Sequence, residues 1–244
     1  MNNGTISDLR KKLKEMNFNH KEFSCLEFPK VYDEKSNEGL LKSPSFFPYG
    51  TGLFSDFKNN EERKIDIMIV GQDFGKSNYY ENHIGRGEKS ESTFTGLLNI
   101  LKYADIEEKK LNRCFFTNCY MGLRERDSKM VGSLKKYFIL KKVEWDDYFK
   151  LNSHFFETQL KIYGVKKVVV LGKQPSLFAG ENCQIDSWKN ISVKVSEIVN
   201  FYSATSKNFP KIKFYVIPHP CMWNSNKRHY KNSSIKEMLS EIFK

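Results

Sequence analysis

Four short runs of continuously apolar residues constrain this chain more than any other feature. They are IDIMIVG (65–71), RCFFTN (113–118), KKVVVLG (166–172) and KFYVIP (213–218), each rich in β-branched or aromatic residues and each ended by a turn signal. A strand with one solvated face alternates apolar and polar residues, whereas a strand covered on both faces does not. These runs therefore predict a parallel sheet buried between helices. Helical patterns lie between them. Phe94, Leu97, Leu98 and Leu101 share a stripe, as do Tyr148, Leu151, Phe155 and Tyr163, with Gly164 placed as a C-cap. The last stripe is Ile235, Met238, Leu239, Ile242 and Phe243, and Ser234 and Glu237 stand ahead of it at capping-box spacing. Strands alternating with helices predict an α/β fold around a mostly parallel four-stranded sheet. With no internal repeat and no Pro- or Ser-rich linker, residues 61–244 read as one domain. Residues 1–60 read as a helical and irregular N-terminal extension packed on it.

Charge narrows the partner. The 244 residues carry 40 Lys and Arg against 29 Asp and Glu, a net +11. Only seven of those 40 cations are Arg, so 33 are Lys. Lysine meets phosphate as a point charge and does not fork onto base edges, so this surface suits a nucleic-acid backbone better than sequence-specific reading. The same charge also serves solubility. No apolar run approaches a membrane span, and the start MNNGTISDLRKKLKEM has no signal-peptide core, so a cytoplasmic protein is expected. The cysteines, Cys25, Cys114, Cys119, Cys183 and Cys221, are odd in number and nowhere spaced CxxC. They read as isolated reduced thiols, without a zinc site or an iron–sulfur cluster. No metal and no cofactor are expected. There is also no GxxxxGK[ST] loop and no HExxH helix, which disfavours a nucleotide or metal-dependent hydrolase.

The polar residues follow the strands. The first run opens into GQDFGKSNYY, the second into NCYMGLRER, the third into GKQPS and the fourth into HPCMWNSNKRHY. Ligands of open α/β sheets bind at the C-terminal ends of the strands, so Asp73, Asn118, Lys173 and His219 are expected to converge on one cleft. Ordinary surface polarity would stand at both ends. A carboxylate can orient water or stabilise a developing cation, an Asn amide can read an amide-like edge, and a His can donate to a departing oxyanion. Together they suit cleavage of an N-glycosidic bond, whose sugar becomes cation-like while the base leaves as an anion. Each also has a plainer use: Asp73 as a cap, Asn118 as a turn residue, His219 as a backbone hydrogen-bonder.

These segments resemble the uracil-DNA glycosylase superfamily. GQDFG (71–75) is similar to its first motif, best known as GQDPY, and HPCMWNSN (219–226) is similar to HPSPLS. FFTN (115–118) matches the strand ending in the base-reading Asn, and KKVVVLGKQP (166–175) the strand and loop between them. The order agrees over residues 65–226, about two-thirds of the chain. The resemblance implies a three-layer α/β sandwich and a monofunctional glycosylase that flips a pyrimidine out of DNA, acting as a monomer without a membrane. Asp73 would position the water and stabilise the sugar cation, and His219 would stabilise charge on the pyrimidine O2. Asn118 would read the Watson–Crick edge, with Gln72, Phe74 and Gly75 lining the base. Phe94 is one choice for the stacking aromatic, and it suits core packing equally; Phe74, Tyr79 and Tyr80 compete. Trp223 aligns with the wedge leucine, and Lys173, Asn224, Lys227, Arg228 and Lys231 would contact DNA. Lys76 and Lys173 read as phosphate contacts, without a Schiff-base lyase step.

Two departures matter. Gly75 stands where the GQDPY branch places the Tyr that excludes C5-substituted bases, and Phe74 stands where it has Pro. An unfilled position opens the pocket to a pyrimidine carrying a C5 group, hydroxymethyl or a sugar, as in modified phage DNA; if another residue closes it, the substrate is plain uracil, and the role is repair or defence. The alternative reading is a nucleic-acid-binding protein of the same fold without catalysis. The segment 119–150 reads either as a DNA-facing insertion or as an ordinary connection, and its mixed charge does not decide.

Overall fold

The apolar runs become strands because backbone amides buried among such side chains must pair with one another. The structure, a computed structural model, describes residue 15 and residues 23–27, 65–78, 92–126, 133–189, 191, 203–231 and 234–244. Apart from Glu15 and 23–27, the expected extension over 1–60 lies outside the described residues, as do Tyr79 and Tyr80. The chain forms two compact units. One comprises 1–61, 72–87 and 118–164; the other comprises 62–71, 88–117 and 165–244.

The second unit holds the sheet. Its strands are β2 (Ile67–Gly71), β3 (Cys114–Asn118, whose last residue falls in the first unit), β5 (Lys167–Leu171), β6 (Ser203–Thr205) and β7 (Lys213–Ile217), ordered β3-β2-β5-β7-β6. β2 pairs parallel with β5, and β5 with β7, with Val70 opposite Val170 and Leu171 opposite Ile217. Every residue of β2 and β3 is buried, as a strand covered on both faces requires. The sheet has five strands where four were expected. The extra one, β6, runs antiparallel to β7 at the edge. Its three residues, Ser-Ala-Thr, lie on or near the surface and carry no apolar run, so its pairing comes from the neighbouring strand.

The helices of this unit are α1 (Ser92–Tyr103), α4 (Lys173–Asn182), α5 (Trp223–Lys231) and α6 (Ile235–Phe243). The stripe predicted for α1 is buried at Phe94, Leu97 and Leu101, and that of α6 at all five positions. Ser234 does occupy the N-cap of α6 but makes no side-chain capping bond, so the expected capping box is not formed. At the N-terminal edge of the sheet, polar groups satisfy one another. Arg113 forks onto Asp66, with Nε donating to Oδ1 at 3.0 Å and Nη2 to Oδ2, and Lys213 pairs with Glu241.

The first unit is built on aromatics. Its helices are α2 (Leu134–Lys141) and α3 (Asp146–Tyr163), the latter closed by Gly164 at φ 54°, as its sequence predicts. A short antiparallel pair joins β1 (Leu26–Glu27) to β4 (Leu123–Arg124). Tyr148 lies at the centre: its ring stacks on Phe138 at 4.6 Å and meets Phe23 at 5.1 Å, while Tyr120 packs on Trp145 at 5.3 Å. The Tyr148 hydroxyl donates to the Met121 carbonyl, and the Met121 N–H donates to Asn152 Oδ1 at 2.7 Å. Two residues of α3 thus hold the chain just after β3. Among the described residues, no helix is long and apolar enough to cross a membrane.

Candidate functional site

The parallel strands β2, β5 and β7 end on one edge, and the chain leaves that edge at Gln72, Gly172 and Pro218. The chain runs from β2 to its neighbour β3, then crosses to β5 on the other side of β2. Such a reversal of strand order is the place where open α/β sheets hold ligands.

In the first unit, Asp73 is clasped by three donors. Gly75 N–H donates to Oδ1 at 2.7 Å, Arg124 Nη2 donates to the same oxygen at 3.1 Å, and Gln72 Nε2 donates to Oδ2 at 2.9 Å. The Arg124 and Asp73 side chains are 11% and 5% exposed, a nearly closed ion pair. A carboxylate has about four acceptor positions, so one remains open, on Oδ2. The backbone fixes this geometry. Arg124 N–H donates to the Gly75 carbonyl at 2.8 Å, and Tyr120 N–H donates to the Gln72 carbonyl at 3.0 Å. Gly75 sits at φ +74°, a conformation glycine adopts without strain, and a Cβ there would meet nothing within 4 Å. Phe74 is buried. Burial, and then the charge of Asp73, push the Tyr148 hydroxyl well above the usual tyrosine range, so it stays a donor.

Asn118 closes β3 and is 2% exposed, yet its Nδ2 has no hydrogen-bond partner. Buried amide donors are nearly always satisfied; among the described residues Gln159 Nε2 and Trp188 Nε1 share the open state of Asn118 Nδ2. The ion pairs at the opposite edge leave no such vacancy on Asp66 or Arg113.

In the second unit, two glycines bracket His219. Gly172 sits at φ +90°, and a Cβ there would lie 3.2 Å from His219 Cβ; its N–H donates to the Ile217 carbonyl at 2.8 Å. Gly96 lies inside α1, where glycine costs about 1 kcal/mol relative to alanine. A Cβ there would overlap the Pro220 carbonyl, so the small residue lets α1 close on the segment carrying the histidine. His219 Nδ1 lies 3.0 Å from Cys221 Sγ, and the Tyr230 hydroxyl donates to the His219 carbonyl at 3.4 Å. None of the five cysteines forms a disulfide; Cys221 is exposed and the other four are buried.

The remaining sequence candidates divide by position. Phe94 is buried in α1 with its ring edge-on to Phe116 at 6.3 Å, so it packs as a core residue. Lys173 is exposed at the first turn of α4, and Lys227, Arg228 and Lys231 are exposed on α5. The side chains of Trp223 and Asn224 lie outside the described ones. Asp73 and Asn118 belong to the first unit, Lys173 and His219 to the second. Sequence reasoning missed Arg124, Gly96 and Gly172. The signal for Arg124 was its type: where 33 of 40 cations are Lys, an arginine straight after the second run asks for a planar partner. No protein-family model and no curated protein matches this chain.

Proposed function

We propose that this protein is a monofunctional DNA glycosylase on a three-layer, uracil-DNA-glycosylase-like fold, acting as a cytoplasmic monomer on uracil or a C5-substituted pyrimidine. The observation that carries the reading is the unpartnered, buried Asn118 amide at the end of β3. A flipped pyrimidine supplies the carbonyl acceptor that this donor lacks. In the mechanism, the bond between the base nitrogen and sugar C1′ breaks and its electron pair leaves with the base. His219 stabilises the negative charge gathering on the base O2. Water held at the open side of Asp73 Oδ2 adds to the cationic C1′; its proton passes to that carboxylate and from there through solvent to the departed base anion, leaving the abasic sugar and a neutral free base. Arg124, Gln72 and the Gly75 N–H fix the orientation of the carboxylate throughout. The open volume beside Gly75 leaves room for a group on C5. The exposed lysines supply backbone contacts, and no metal or cofactor takes part in the scheme.

The near closure of Asp73 in its ion pair favours a second reading, a DNA-binding protein without catalysis. One experiment separates the two. Oligonucleotides carrying uracil, 5-hydroxymethyluracil, 5-hydroxymethylcytosine or its glucosylated form are incubated with protein, and alkali converts abasic sites to breaks. Breaks that require Asp73, absent with Asp73→Asn, establish the glycosylase. DNA bound with no base released gives the second reading.

A further inference from the structure

Helix α2 turns its apolar residues both ways. Leu134, Tyr137 and Phe138 are buried, while Ile139 and Leu140 are 62% and 67% exposed, the large apolar side chains most open to solvent among the described residues. At about 100° per residue, Lys135, Ile139, Lys136 and Leu140 follow one another across an arc of about 140° on the outer face. Lys142, at the C-cap, extends this face in the left-handed conformation at φ 55°, where glycine or asparagine is the usual choice. Among the described residues, Lys135, Lys136 and Lys142 have no carboxylate partner, in contrast to Lys141, which pairs with Glu125 at the surface. The helix is anchored close to the candidate acid. The Tyr137 hydroxyl donates to the Cys25 carbonyl at 2.8 Å and accepts from the Glu125 N–H at 3.3 Å, and the residue before Glu125 is Arg124, the partner of Asp73.

We propose that the outer face of α2 docks on duplex DNA, with Ile139 and Leu140 against the groove and Lys135, Lys136 and Lys142 on the flanking phosphates. The inference rests on DNA being the substrate and adds a second contact surface to it. Charge complementarity selects the occupant. Three cations with no carboxylate partner among the described residues, around two aliphatic side chains, match a polyanion whose base steps admit aliphatic wedges flanked by basic residues. A second copy of this chain would set lysine against lysine, and protein interfaces are depleted in lysine at their centres. Two exposed apolar residues are too few to hold a membrane surface. Single strands are gripped by stacking on aromatic rings, and this face has none.

The test uses the full chain and two double variants, Lys135→Gln/Lys136→Gln and Ile139→Ser/Leu140→Ser. Fluorescence anisotropy over a salt series gives the affinity for a duplex and for a single strand of equal length. The lysine variant should weaken duplex binding and lower the slope of log K against log salt by about 1–2, since each duplex phosphate contact contributes about 0.9. The Ile/Leu variant should weaken duplex binding several-fold with the slope unchanged. Duplex affinity within about twofold of wild type at every salt, for both variants, overturns the proposal, given that a lost contact of 1.4 kcal/mol is about tenfold. So does a loss confined to phosphatidylserine vesicles, or a dimer that the Ile/Leu variant dissociates. Base release from the single strand, measured on the same proteins, reports the glycosylase reading alone. Release retained while duplex binding is unaffected sinks only the docking surface, and duplex binding lost with no release anywhere sinks only the enzyme.

Discussion

Arg124 and Asp73, fifty-one residues apart, form an ion pair at 3.1 Å in which neither side chain exceeds 11% exposure. The pair joins the loop after β2 to the short strand β4. Breaking such a pair from one side leaves the other charge buried, at about 3–5 kcal/mol. Arg124→Ala should therefore lower stability by about that amount in a urea titration and abolish base release. Arg124→Lys keeps the charge without the planar fork, so it should recover stability partly and release weakly. Full activity in Arg124→Ala would separate Asp73 from the chemistry.

Asn118 should behave in the opposite way. Its Nδ2 has no protein partner to lose, so Asn118→Ala removes a buried, unsatisfied donor while opening a small cavity. The two effects offset to within about 1 kcal/mol. Thermal melting should shift little or upward, while base release falls sharply. A large drop in melting temperature would mean that the amide is structural.

Gly172 and Gly164 are a matched pair, both at positive φ. A Cβ on Gly164 meets nothing, whereas one on Gly172 lies 3.2 Å from His219 Cβ. Each alanine variant should lose about 1–2 kcal/mol to the left-handed backbone. Only Gly172→Ala should also displace His219 and lose base release. Equal activity of the two would detach His219 from catalysis.

At residue 75, any L side chain meets the strain of φ +74°, and asparagine tolerates it best. Gly75→Asn puts a side chain into the open space. Its rate on 5-hydroxymethyluracil should fall more than its rate on uracil, measured side by side. An unchanged ratio would show that the base's C5 lies elsewhere.

Tyr148 gives a pH signature. Its folded hydroxyl titrates well above the ordinary 10.0, because of burial first and the charge of Asp73 second. The folded state therefore keeps a proton that the unfolded chain releases. This share of stability is complete below pH 10 and shrinks as pH rises, by up to about 1.4 kcal/mol per pH unit. Tyr148→Phe should cost about 1–3 kcal/mol at neutral pH, because the Met121 carbonyl loses its donor. It should also flatten the alkaline fall in the urea midpoint. A parallel fall would assign that slope to Tyr137, Tyr215 and Tyr230, which burial also raises.

Four of the five sheet strands, the buried stripes of α1 and α6, and the cap at Gly164 are legible in the sequence alone. Each of these is a local pattern: an unbroken β-branched run, a 3.6-residue stripe, or a glycine at a helix end. The sequence also set Asn118 at the end of β3, and Asp73, Lys173 and His219 within two residues of the ends of β2, β5 and β7. The rest depends on contacts between distant segments. The strand β6 pairs through a neighbour's free edge and has no pattern of its own. The clasp on Asp73 comes from Arg124 across fifty-one residues, and the fit of Gly172 against His219 spans two neighbouring strands. The orphaned Asn118 amide exists only once everything around it has packed. Hydrogen-bond partners and steric approach are set by which segments meet in space, and composition along the chain does not encode that meeting locally.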